Sequence, residues 1–257
     1  MIRRTRLARI GAWAVALAVS VPFVILLLQS FVESWRAPAV LPQRFGLRAW
    51  SIVLAEGTAA RPALVNSALV ALATTTIALF LAWPAARALG ESRLRRPTFV
   101  VVVMTLPVLV PPYAVGTGLA EWFIRLGLVD SLFALILAHM VYVLPYVVLL
   151  LASGFGREVE SLEEAARAMG AGTVHRLRLV TIPAIAPSLA LAALMGFLVS
   201  WGQYGTSLSV GGGIAMLPVV LVPFVQADPP VAAALGSLFL APAVFALIVA
   251  SRQDRMN

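Results

Sequence analysis

Long apolar runs dominate this chain, and charged residues are nearly confined to the segments between them. Six runs cover residues 10–28, 65–86, 99–119, 132–152, 184–204 and 231–250. A helix needs about 20 mostly apolar residues to cross the hydrocarbon core of a membrane. With 61% hydrophobic and 12% charged residues, the chain carries more apolar surface than a soluble domain of 257 residues can bury. We therefore predict an all-α integral membrane protein with about six transmembrane helices.

Two apolar segments admit a second interpretation. The first run follows Arg3, Arg4, Arg6 and Arg9, as in a signal peptide. It exceeds the roughly 7–15 apolar residues of a signal sequence, so we predict an uncleaved span. Residues 214–225 are apolar but only about half a membrane long; they fit an interfacial or re-entrant segment and stay outside the count. The sequence predicts one transmembrane domain over residues 1–257.

Arginine placement predicts the orientation, because basic residues accumulate on the cytoplasmic side of membrane spans. All 19 basic residues are arginine. With six spans, both termini share a side, and we predict that this side is cytoplasmic. The net charge of +8 is then a topology signal rather than a surface for nucleic acid. The predicted cytoplasmic side holds 14 arginines (Arg3, Arg4, Arg6, Arg9, Arg87, Arg93, Arg95, Arg96, Arg157, Arg167, Arg176, Arg178, Arg252 and Arg255), against Arg36, Arg44, Arg48, Arg61 and Arg125 opposite.

Missing residue types exclude several kinds of chemistry. The chain has no cysteine, so disulfides and thiol catalysis are excluded, and its only histidines are His139 and His175. It also lacks lysine, which the ATP-binding P-loop requires. We expect no metal and no cofactor bound to this chain.

The polar segment after the fourth run, residues 156–183, has helical patterning. Ser161 and Glu164 have the spacing of a capping box, with Ser161 as N-cap. Gly170 suits the left-handed position that ends a helix. Thr173 is placed to cap a second short helix, and Pro183 marks the entry to the fifth run.

This segment resembles the "EAA" loop of permeases from binding-protein-dependent bacterial ABC importers. The family pattern is Glu-Ala-Ala, three residues, Gly, nine residues and Ile-x-Leu-Pro. Here the chain reads Glu164-Ala165-Ala166, then Gly170, then Val180-Thr181-Ile182-Pro183, with every spacing kept. Val180 and Ile182 are similar aliphatic replacements. We call residues 156–183 the EAA loop.

The resemblance covers roughly residues 60–250 and implies a type I importer permease in the bacterial inner membrane. The helix carrying Glu164 would dock on a cytoplasmic ATPase, so Glu164, Ala165, Ala166, Gly170 and Pro183 are the expected coupling residues. The implied partners are two ATP-binding subunits, a second identical or related permease, a periplasmic solute-binding protein and lipid. ATP would be bound by a partner, and this chain would not be an enzyme. Residues 106–118 and 201–218 resemble most the branch that handles iron(III), thiamine, polyamines, phosphonates and sulfate-like anions.

Other polar residues have competing interpretations. Ser200, Gln203 and Tyr204, near the end of the fifth run, are candidates for the solute path, although Tyr204 also fits the aromatic belt at a membrane surface. His139 lies within the fourth run, where a neutral histidine bonded between helices is the expected arrangement.

Three rival functions remain at this stage. An ion-coupled secondary carrier needs charged groups near the middle of its spans, and the six runs have none there. An intramembrane protease of the glutamate type has a Glu-Glu-x-x-x-Arg motif, whereas Glu163, Glu164 and Arg167 are one residue too close and lie in a loop. A structural membrane subunit without transport is the third.

Overall fold

The computed structural model describes residues 2–35 and 38–253, with side chains described for residues 11, 13–35 and 38–245. Arg36 and Arg255, which entered the orientation argument, lie outside the described residues. The described chain is almost entirely helical. Its elements are α1 (Ile2–Gln29), β1 (Val32–Ser34), β2 (Arg44–Phe45), α2 (Arg48–Leu54), α3 (Ala60–Gly90), α4 (Pro97–Leu109), α5 (Pro112–Arg125), α6 (Leu132–Ala152), α7 (Arg157–Ala168), α8 (Thr173–Arg176), a π-helical segment (Leu177–Thr181), α9 (Ile182–Ala184), α10 (Ala186–Trp201), α11 (Gly205–Val210), α12 (Leu217–Ala227) and α13 (Pro229–Gln253).

The chain divides into two compact units. One comprises residues 1–63 and 217–257, and the other comprises residues 64–216. The second unit contains every expected coupling residue and every candidate for the solute path.

Small residues let helices of the second unit approach closely. On α3, Ala78, Ala82 and Ala86 are fully buried at four-residue spacing. They belong to the same core as Val147 and Leu151 of α6. Four-residue spacing places side chains on one helix face, and alanine brings two backbones near each other where no hydrophobic effect drives association.

The third apolar run is not one helix, contrary to the prediction for residues 99–119. It consists of α4 and α5, which meet at an angle of 92°. Val110 and Pro111 each precede a proline and are extended, with ψ of 133° and 132°. Proline disfavours helical backbone in the residue before it, so two successive prolines interrupt the helix. The hydroxyl of Tyr142 donates to the carbonyl of Val110 (2.9 Å), which satisfies an acceptor freed by the break.

The fifth predicted span, residues 184–204, corresponds to α10 with a later start and an earlier end. Helical residues 173–184 precede it at an angle of 75°. Glycine controls the approach of the short α11 to the proline break, because a Cβ on Gly205 would lie 2.5 Å from the backbone nitrogen of Tyr113.

In the first unit, an ion pair joins the start of α2 to the residue between α12 and α13. Arg48 donates two hydrogen bonds of 2.8 Å to the carboxylate of Asp228, the residue immediately before α13. The hydrogen bond from Arg48 is the largest cause of the lowered pKa of Asp228, which lies below its ordinary value. The segment left outside the span count forms α12, an 11-residue helix with Pro223 inside it.

By length and composition, α3 and α6 can each cross a membrane, and each bent pair (α4–α5 and 173–201) adds one more if it acts as a single span. Among residues with described side chains, the apolar parts of α1 and α13 are shorter, Trp13–Gln29 and Pro229–Phe245. The whole helices contain 28 and 25 residues. A membrane protein with several helical spans is thus confirmed, and the count of six stays a prediction.

Candidate functional site

The EAA loop begins with α7, which starts earlier than the capping box predicted. The helix starts at Arg157 after Gly156, and Glu158 and Glu160 lie in its first turn, where negative charge is favourable. Ser161 is therefore inside the helix. Its hydroxyl donates to the carbonyl of Glu158 (2.8 Å), so it does not cap the helix, and the predicted capping box is wrong.

The end of α7 matches the expectation for Gly170. This glycine has φ of +85°, a left-handed conformation that residues with a Cβ rarely adopt. Its N–H bonds to the carbonyl of Arg167, and the N–H of Ala171 bonds to the carbonyl of Ala166. These two bonds define a Schellman motif, which satisfies the last carbonyls of the helix. A Cβ on Gly170 would meet nothing within 4 Å, so the backbone angle alone favours glycine.

After the turn, helical backbone returns from Thr173 to Ala184. Thr173 is the first residue of α8 and makes no side-chain cap, so its predicted capping role is wrong. Residues Leu177–Thr181 form a π-helical turn, a wider geometry often found at functional sites. Pro183 lies in α9, just before the 75° bend that leads into α10.

The two neighbouring glutamates of α7 face opposite environments. Glu164, Ala165 and Gly170 are exposed. Glu163 instead lies on the inward face with Val159 and Ala166, at four- and three-residue spacing, and is 6% exposed. A carboxylate therefore occupies the middle of an otherwise apolar stripe.

Both oxygens of Glu163 have partners from distant parts of the second unit. Oε2 accepts a hydrogen bond from Nη2 of Arg87, at the end of α3. Oε1 accepts one from the hydroxyl of Thr181 at 2.5 Å. Burial raises the pKa of Glu163, but the hydrogen bonds from Thr181 and Arg87 and the charge of Arg87 outweigh it, so the pKa lies below its ordinary value. The carboxylate is ionised at neutral pH.

A second buried carboxylate extends this network. Glu91 has a side chain that is 1% exposed, and its oxygens lie 2.8 Å from Nε of Arg87 and 2.6 Å from Nη2 of Arg93. Arg93 also lies 3.3 Å from Oε1 of Glu160 on α7. We call Arg87, Glu91, Arg93, Glu160, Glu163 and Thr181 the α3–α7 network. Sequence reasoning missed it, although the spacing of Val159, Glu163 and Ala166 contains the signal for an inward-facing glutamate.

The fully buried His139 of α6 is the centre of a different polar cluster. Its Nδ1 lies 2.9 Å from Oγ of Ser200, and its Nε2 lies 3.0 Å from Oγ of Ser207. Because the Ser207 hydroxyl donates to the carbonyl of Gln203, it must accept from Nε2–H. In a neutral imidazole, Nδ1 is then the acceptor and Ser200 donates to it, so both contacts are satisfied, as expected for a histidine bonded between helices.

The candidates for the solute path divide between buried and exposed positions. Ser200 and Gln203 are 1% and 6% exposed, and Oε1 of Gln203 accepts from Thr206 at 3.2 Å. Tyr204 is 37% exposed. The structure therefore joins Ser200 and Gln203 in one hydrogen-bonded cluster with His139 and leaves Tyr204 at its surface. Among the described residues, no three His, Asp or Glu side chains are grouped as metal ligands would be.

Comparison with known proteins identifies the family. The family model for the inner membrane component of binding-protein-dependent transport systems matches residues 78–255. This range includes both the α3–α7 network and the His139 cluster. The chain belongs to this family. It is a transmembrane permease subunit of an ABC importer, and its EAA loop lies within the matched residues.

Individual proteins that resemble this permease also carry the names of transport permeases. A putative ABC transporter permease of Streptomyces antibioticus is 36% identical over 201 residues, covering 72% of this chain and 84% of the relative. The molybdenum transport system permease ModB of Mycobacterium tuberculosis is 30% identical over 220 residues, covering 79% and 81%. A putative 2-aminoethylphosphonate transport system permease of Salmonella typhimurium is 27% identical over 203 residues, covering 78% and 75%.

Proposed function

We propose that this permease is driven through the outer face of α7, which docks on a separate ATPase. The observation that carries the proposal is the arrangement of Glu164, Ala165 and Gly170. Glu164 and Ala165 are exposed on a rigid helix, and Gly170 ends that helix in a defined turn. A short helix held by a Schellman motif moves as one body, so displacement of its outer face is passed to the attached chain. Ala166 and Pro183 serve the same coupling from inside the loop, Ala166 by packing and Pro183 next to the bend.

The complete transporter in this proposal contains two ATP-binding subunits, a second permease, identical or related, and a periplasmic solute-binding protein. It lies in the bacterial inner membrane, with both termini of this chain in the cytoplasm. The Arg distribution supports that orientation. The chain itself binds no cofactor and catalyses no reaction, so the purified permease should hydrolyse no ATP.

The proposed solute is a small molecule of the phosphonate or sulfate-like type. Supporting relatives carry the names 2-aminoethylphosphonate and molybdenum transport permease. Uptake of radiolabelled 2-aminoethylphosphonate and of molybdate, a sulfate-like anion, by cells expressing the complete transporter tests this directly. Uptake of iron(III), thiamine or a polyamine in place of both probes would contradict the assignment.

Ser200, Gln203 and Tyr204 are proposed to line the solute path when the helices open. Ser200 lies in the last turn of α10, Gln203 and Tyr204 follow that helix, and Tyr204 already reaches the surface of the unit. Because Ser200 and Gln203 are bonded within the protein, replacing both with leucine should disturb packing as well as transport. Tyr204→Ala is the cleaner test, and it should reduce uptake while the ATPase still co-purifies.

The coupling proposal is tested with Glu164→Lys and Gly170→Val. Charge reversal on the exposed face and strain at φ of +85° should abolish uptake and weaken ATPase co-purification, with membrane insertion near normal. Glu56→Lys is the matched control, since Glu56 is also exposed and lies in the other unit. If both EAA variants retain the ATPase and transport like the wild type, the docking assignment is wrong.

A further inference from the structure

The α3–α7 network connects the coupling helix to a helix that is remote in sequence. The chain itself joins α7 to α6 through residues 153–156 and to α10 through residues 169–185. Arg87 and Glu163 are separated by 76 positions, so their ion pair adds a third connection, to the end of α3. We propose that Glu163 is a positioning residue that makes the end of α3 and the coupling helix move together. This inference rests on the proposed docking of α7 on the ATPase.

Glu163 is buried on an apolar face of α7. An ionised carboxylate there carries a large desolvation penalty unless charged and hydrogen-bonding partners compensate it. The partners of Glu163 come from two separate segments, Arg87 of α3 and Thr181 of the π-helical turn. Separating α7 from α3 would remove the ion-pair partner of this charge, and separating it from the π-helical turn would remove the hydrogen bond to its other oxygen. The cost of that separation opposes independent movement of the three elements.

Packing contacts also fix the end of α3 beside the start of the loop. A Cβ on Gly90 would lie 2.5 Å from the carbonyl oxygen of Ala152, so backbone meets backbone at this point. Trp83 and Phe155 pack edge to face with ring centroids 5.4 Å apart. These contacts with the end of α6 and with Phe155 hold Arg87 in reach of Glu163.

Further ion pairs flank the contact between Arg87 and Glu163. Glu91 forms ion pairs with both Arg87 and Arg93, and Arg93 also lies 3.3 Å from Oε1 of Glu160. Glu160 and Glu163 are three residues apart, which places both on one side of α7. Two arginines of the α3 end thus face two glutamates of the coupling helix, with Glu91 between the arginines.

The proposal concerns movement, so the test measures distance in the complete transporter. Nitroxide labels are attached to two introduced cysteines, Arg95→Cys and Ala168→Cys, both at exposed positions outside the network. The chain has no other cysteine that would react. Dipolar electron paramagnetic resonance then gives their separation at rest and after trapping with ATP and vanadate. In the wild-type background we expect one narrow distribution that is the same in both states.

The decisive variant is Glu163→Gln, which keeps the shape and the acceptor for Thr181 but removes the charge. We expect the ATPase to remain bound and the labels to shift by several ångströms on trapping, because α7 moves without α3. A merely structural role would instead alter both states equally. Glu158→Gln, an exposed glutamate of the same helix, is the matched control and should behave like the wild type.

The double variant Arg87→Gln/Glu163→Gln removes both charges of this ion pair and leaves Arg93 as the partner of Glu91, so it tests the inference even if the single variant misfolds. It should show the same shift on trapping as Glu163→Gln. A label distance that changes on trapping in the wild-type background, or a wild-type response in both variants, overturns the inference. Neither result affects the docking proposal, which depends on ATPase retention in Glu164→Lys and Gly170→Val.

Discussion

Two buried ionisable groups of the same unit are handled in opposite ways. Glu163 is ionised and is paired with Arg87, near the arginine-rich end of α3. His139, inside α6, is satisfied by the hydroxyls of Ser200 and Ser207 and stays neutral. The buried charge of Glu163 thus lies beside an opposite charge, whereas the buried group among the apolar helices, His139, is polar but neutral. The difference predicts different costs when partners are removed.

Removing Arg87 should have the largest effect. Arg87→Ala leaves Glu163 and Glu91 short of a positive partner, and breaking a buried pair costs about 3–5 kcal/mol. Because Arg87 is 30% exposed, solvent screening places the expected loss at the lower end, about 3 kcal/mol. Unfolding of the purified permease in mixed micelles titrated with SDS measures it. Arg95→Ala, at an exposed arginine of the same segment, should cost less than about 0.5 kcal/mol; equal losses in both variants would contradict the pairing.

Removing the histidine should cost less, because no charge is left unpaired. His139→Leu removes the acceptor of Ser200 and the donor to Ser207, for an expected loss of about 1–3 kcal/mol. His175→Leu, at an exposed histidine of the EAA loop, is the matched control. A loss from His139→Leu larger than that from Arg87→Ala would reverse the comparison between the two clusters.

The two glycines around the EAA turn give a finer test. Gly170→Ala places a Cβ at φ of +85° and should destabilise the loop by about 1 kcal/mol. Gly172 has φ of −67° and also has open space around it, so Gly172→Ala should be neutral. Amide hydrogen exchange of residues 157–168 compares the two variants, and equal exchange would mean that the left-handed turn does not control α7.

The smallest effect is expected at Ser161. Loss of an N-cap costs about 0.5–2 kcal/mol, but Ser161 lies inside α7, where its hydroxyl bonds back to the carbonyl of Glu158. Ser161→Ala should therefore change stability by less than about 0.5 kcal/mol. A loss of more than that in the same SDS titration would restore the capping box.

The sequence predicted the helical membrane fold and the EAA loop because both depend on local patterns. Apolar runs and the spacing from Glu164 through Gly170 to Pro183 can be read without knowing the structure. The failures have specific causes. Ser161 matched a cap motif, but Glu158 and Glu160 already began the helix. Two consecutive prolines indicated the break at Val110, but the apolar residues around them led to the prediction of one continuous helix.

The α3–α7 network could not be predicted in the same way. The stripe of Val159, Glu163 and Ala166 indicates that Glu163 faces inward, yet no nearby sequence pattern identifies the residue with which it pairs. Arg87 was counted only as one of many basic residues that orient the chain. Its pairing depends on how α3 packs beside the end of α6, which is a long-range property.

The π-helical turn Leu177–Thr181 has a consequence for how this loop can change during evolution. A π turn holds one more residue than an α turn, and each residue of an α-helix advances about 100° around the axis. Deleting one residue from this turn would let it relax to an α-helix and would leave the chain on either side in nearly the same orientation, because a π turn advances about as far around the axis as an α turn with one residue fewer. Deleting a residue from the α-helical backbone before it would instead turn the following residues by about 100°. The π turn is therefore the place in this segment where the loop can lose a residue without redirecting the bend before α10.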